Sequence, residues 1–168
     1  MEDKVKNLEH SFAYIKTFYR ELAQMISDAD DLMGKKGWEV FGDSGVTYGT
    51  SKSLNSSDRW NPSLAFRFYH TPNDDKCERG FIVSYDKNEW FPIGIICGVV
   101  REEPKITDRN SLWYLITENK KLDSPSESIQ LTSHRGRNLD GKVSIMSLTG
   151  IQNKKDLNQM IERLIGLE

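Results

Sequence analysis

Residues 91–100, FPIGIICGVV, are the longest apolar run in the chain. Ten residues is strand length, and Ile93, Ile95, Ile96, Val99 and Val100 are β-branched, which favours the pleated form over the helical one. Pro92 stands at the entrance, where its missing N–H disturbs a ladder least. Side chains on a strand alternate between faces, so Ile93, Ile95, Cys97 and Val99 share one face. Gly94, Ile96, Gly98 and Val100 share the other. A run apolar on both faces needs cover on both, so it is expected as the central strand of a sheet. Its two glycines leave shallow ground where a helix, a ring or a ligand can approach the backbone.

The cover is expected first from the N-terminus. Val5, Leu8, Phe12, Ile15, Tyr19, Leu22, Ile26, Ala29 and Met33 recur at spacings of three and four. That is a heptad seam, and it predicts a helix over residues 3–33. Phe18, Met25 and Leu32 widen its apolar stripe, and Gly34 and Gly37 supply the stop. Such a helix spans ~45 Å, longer than a small sheet is wide. Either its whole stripe lies along the sheet, or part of it pairs with a second copy or another protein. Leu8, Ile15, Leu22 and Ile26 are the candidate interface residues.

Further strands follow from alternation. Residues 63–70 place Leu64, Phe66 and Phe68 opposite Ala65, Arg67 and Tyr69. Pro72, Asn73, Asp74 and Asp75 make a turn, and residues 80–85 return with Phe81, Val83 and Tyr85 on one face. These two strands and the central one predict an antiparallel meander. Residues 112–117, LWYLIT, are read as a strand, as are 129–133 and 142–148, with a turn at Asp140–Gly141. Residues 154–165 predict a C-terminal helix with Asn153 as its N-cap and Asp156 near its positive end. The expected fold is a single α+β domain: a sheet of about five to seven antiparallel strands, the meander at its heart, with a long N-terminal and a C-terminal helix packed on it.

Composition narrows the function classes. The 168 residues carry a net charge of −2, with 29% charged side chains, so no overall field favours nucleic acid or anionic lipid. No stretch approaches the ~20 apolar residues a membrane helix needs. The N-terminus has no apolar signal core, and the expected location is cytoplasmic. Cys77 and Cys97 match no zinc spacing and read as two small buried hydrophobes.

No catalytic constellation is legible. His10, His70 and His134 are far apart, and no phosphate-binding glycine loop follows a strand. GDSGV at residues 42–46 has only His10 before it, inside the first helix. Glu103 and Lys105 flank Pro104, a three-residue pattern best read as a solvated charged turn. Neither cofactor nor metal is expected. Residues 42–62 form a Gly/Ser-rich loop ending in Arg59 and Trp60, and residues 134–142 a basic loop with Arg135, Arg137 and Lys142. These five are the candidate anion or partner contacts, because flexible arginines hold phosphate in bidentate fashion. The expected function is a non-enzymatic interaction protein, self-associating or partner-binding through its N-terminal helix. The alternative is a nucleic-acid-processing or other enzyme using loops 42–62, 101–110 and 134–142, and it requires those loops to converge.

Overall fold

The computed structural model describes residues 2–41, 47–48, 55, 62, 64–85, 93–103, 111–119, 129–132 and 138–167. The chain opens with α1 (Glu2–Gly34), as the heptad seam predicts. Gly37, at φ 82°, takes the left-handed turn that follows it. Two short strands come next, β1 (Glu39–Val40) and β2 (Thr47–Tyr48). Then follow β3 (Leu64–Thr71), β4 (Asp74–Ser84) and β5 (Gly94–Glu103). α2 (Ser111–Asn119) precedes β6 (Ile129–Thr132) and β7 (Asn138–Met146), and α3 (Lys154–Gly166) closes the fold.

All pairings are antiparallel, in the order β1-β3-β4-β5-β7-β6, with β2 also on β3. β3, β4 and β5 form the expected meander. The chain then passes through α2 to the edge strand β6 and returns as β7 beside β5. β5 is therefore central, with β4 on one side and β7 on the other.

Both faces of β5 are covered. Ile95 and Cys97 join Ala65, Tyr69, Phe81 and Val83 beneath α1 and α3. Ile96 and Val100 join Leu64, Phe68 and Ile82 beneath α2. The alternation predicted for β3 holds on both faces. The shallow ground at Gly98 is taken by a helix: a Cβ there would lie 2.5 Å from Leu112 Cδ1 of α2.

Three local expectations are corrected. Residues 112–117 are helical, not extended. Leu112, Leu115 and Ile116 are spaced for one helical face, and all three are buried against the sheet. Asp140–Gly141 is not a turn but lies within β7, opposite Arg101 and Val100. Gly141 is required there because a Cβ would meet the Val99 carbonyl and Leu115. β5 also runs through Arg101, Glu102 and Glu103 before reaching Pro104, so part of the expected charged turn is strand.

α1 is fixed at its C-terminal end. The Arg67 guanidinium donates to both carboxylate oxygens of Asp30, at 2.9 and 2.6 Å, and the Tyr69 hydroxyl donates to the same carboxylate at 2.9 Å. Burial, together with the neighbouring Asp30 carboxylate, raises the Tyr69 pKa, so the phenol keeps its proton. α3 lies alongside α1 in the same direction. Lys154 reaches Asp28 at 3.5 Å and, eight residues further along each segment, Lys36 in the turn after α1 reaches Glu162 at 2.7 Å. Asn153 caps α3 by accepting from the Lys155 and Asp156 N–H groups. At the other end Arg79 donates to the Leu164 and Leu167 carbonyls, both at 2.6 Å, with its guanidinium 5.1 Å from the Trp38 ring centroid. A cation at a helix C-terminus complements the dipole there.

Candidate functional site

The seam of α1 meets two environments. Leu22, Ile26, Ala29 and Met33 are buried against the sheet and α3. Phe18 and Tyr19 pack edge-on against Tyr85, just past the end of β4. Tyr19 also reaches the Pro62 carbonyl at 3.5 Å. These contacts mark where the sheet stops beneath the helix. Every residue from Lys4 to Tyr14 is exposed. Val5, Leu8 and Phe12 are each more than half exposed, and Tyr14 is 75% exposed. The stretch from Lys4 to Tyr14, ~17 Å of α1, thus projects beyond the platform that buries the rest.

The four candidate interface residues divide accordingly. Leu8 lies on the projecting part and Ile15 is half-buried at the transition. Leu22 and Ile26 are buried in the chain's own core, where the wide stripe lies on the sheet. Val5, Phe12 and Tyr14 belong with Leu8. The place of Val5 and Phe12 in the seam was legible in the sequence, but Tyr14, on its flank, and the point where the platform ends were not.

Beside the packed part of α1, from Phe18 to Asp28, lies a cavity of about 380 Å³. α3 begins only opposite Asp28, so among the described residues no second helix lies alongside residues 18–25 of α1. Val83 and Ile95 form the floor, Leu22 and Met25 one wall, and Leu148 and Ile151 the other. Glu21, Asp28, Asn153 and Lys154 supply a polar rim. Ile93, on the same face of β5 as Ile95, is 55% exposed at the sheet's end. The volume falls within the range of small-molecule pockets, about 300–1,000 Å³.

The residues expected to carry chemistry are placed otherwise. Arg59, Trp60, Arg135 and Arg137 lie outside the described residues. Lys142 is corrected from a loop position to the interior of β7, paired with Val99 and Gln130 and half-buried. Arg101 to Glu103 of β5 and Asn138 to Lys142 of β7 are neighbours at one end of the sheet. Thr47 and Tyr48 pair with Ala65 and Leu64 at the opposite end. The described parts of the three loops therefore do not converge.

Two acidic residues are more deeply set than the sequence suggests. Glu78 is fully buried and accepts from the Leu112 N–H at 3.0 Å. Glu102, also buried, accepts from the Ser111 hydroxyl at 3.3 Å. Both carboxylates meet the first turn of α2, where the helix dipole favours negative charge. Their signal in the sequence is faint: charges in strands, explained only by a helix end that packs above them. Glu103 remains exposed and pairs with Lys76 at 2.8 Å. Burial pushes the Cys97 thiol up to about 12 and raises Cys77 as well, so neither is a thiolate nucleophile at neutral pH. Among the described residues no group of three or more His, Cys, Asp or Glu side chains could hold a metal ion. No described helix is long and apolar enough to cross a membrane.

Compared with known proteins, the chain matches no family model, no curated protein and no solved structure.

Proposed function

We propose that this chain is a non-enzymatic interaction protein whose docking surface is the projecting N-terminal part of α1. The carrying observation is the continuity of one seam across the end of the sheet. Leu22 and Ile26 bury it inside the chain, while Val5, Leu8 and Phe12 present the same apolar spacing to solvent. A helix face of this kind is recognised through anchors three and four residues apart. The enzyme reading draws less support, because the described parts of its three loops lie at opposite ends of the sheet.

The double substitution Leu8→Glu with Phe12→Glu tests this. It is expected to lower the unfolding free energy by less than about 1 kcal/mol, as exposed positions do, while abolishing association of the chain in solution. A loss of several kcal/mol in urea unfolding would show that the chain covers this face itself, and the docking reading would fall.

A further inference from the structure

We infer that the partner on this surface is a second copy of the chain, with the two α1 helices side by side and antiparallel. The inference rests on the docking reading above and supplies its occupant. The slot that holds the cavity runs beside α1 from Phe18 to Asp28 and ends at the first turn of α3. A neighbouring helix lying parallel to α1 would run on into α3. An antiparallel one enters from the end that no described residue closes, past Ile93, and stops where α3 starts. The projecting segment of a second copy has the length this requires.

The side chains on that flank of α1 match under such a pairing. With the two-fold axis beside Lys16, each residue faces the one equally far beyond the axis in the other copy. Lys4 then meets Asp28, opposite in charge and shared with Lys154 of the same copy at 3.5 Å. Ser11 meets Glu21, a hydroxyl donor against a carboxylate. Tyr14 meets Phe18, ring against ring, and Asn7 lies on Met25. All of these are solvent-reachable in the single chain, with Lys4, Asn7, Ser11 and Glu21 exposed and Phe18, Met25 and Asp28 half-buried. In this orientation both copies keep their sheets below α1. Leu8 and Phe12 of one copy therefore point down onto Leu148 and Ile151 of the other, the half-buried wall of the slot. Symmetry makes the arrangement twice over, as a closed two-fold assembly should.

The test is the mass of the full chain in solution and the geometry of its cross-links. Sedimentation equilibrium from micromolar to submillimolar concentration is expected to give twice 19.4 kDa. Tyr14→Glu is expected to weaken the dimer at least tenfold with an unchanged circular dichroism spectrum, and Lys4→Glu to weaken it less, with the charge effect disappearing at high salt. Asn7→Cys combined with Met25→Cys is expected to give a disulfide-linked dimer on oxidation. Those two positions lie ~27 Å apart along one helix and cannot close on themselves. A wild-type chain that stays monomeric throughout overturns the inference, as does a dimer locked by Asn7→Cys alone, which marks parallel helices. Either result leaves the docking reading to stand or fall on the stability of the Leu8→Glu/Phe12→Glu variant.

Discussion

The two parts of α1 share one spacing and differ in everything that spacing does not specify. From Phe18 to Met33 the stripe rests on strands, is flanked by α3 from Asp28 onward and is clamped by Arg67 and Tyr69 through Asp30. From Lys4 to Tyr14 it rests on nothing in the described chain. Periodicity reports that a face needs cover; only the length of the neighbouring strands decides how much of that cover is internal. The exposed part is also the weaker helix, since helices this short are marginal without packing.

Three substitutions along the helix sharpen this contrast. Ile26→Ala removes a side chain that is 4% exposed and leaves a cavity above the sheet, so urea unfolding should show a loss of about 3 kcal/mol. A loss under 1 kcal/mol would mean the platform does not bury the C-terminal part as described. Asp30→Ala strips Arg67 and Tyr69 of their shared acceptor. Because the pair is partly solvent-screened, the expected loss is about 2 kcal/mol, read from the same unfolding curves. Leu8→Ala should change the stability of the dilute chain by less than about 0.5 kcal/mol. If it matched Ile26→Ala, the distinction between the two parts would disappear.

Much of this fold is legible in the sequence because one rule dominates locally. β3 alternates cleanly, β5 is apolar on both faces, and Asn153 with Asp156 announces α3. Elsewhere two rules tie and tertiary structure decides. Residues 112–117 contain β-favouring Trp, Tyr, Ile and Thr, yet Leu112, Leu115 and Ile116 also fit a helix face. Packing on the sheet settles it. Asp140–Gly141 is good turn chemistry, but Gly141 serves another need, the close approach of Leu115 and the Val99 backbone. Glu78 and Glu102 are burdens on a strand until the start of α2 neutralises them. Of the candidate surface, the apolar anchors were readable. The slot beside them was not, since it depends on where α3 begins.

The seating of α2 has a mechanical corollary. Leu112 sits over Gly98 of β5 and Leu115 over Gly141 of β7, two adjacent bare spots one helical turn apart. Two such sockets register the helix in both slide and roll, as a pair of dowels fixes a plate where a single one would let it pivot. The rear layer is thereby indexed to β5 and β7 independently of the contacts that hold α1 on the front.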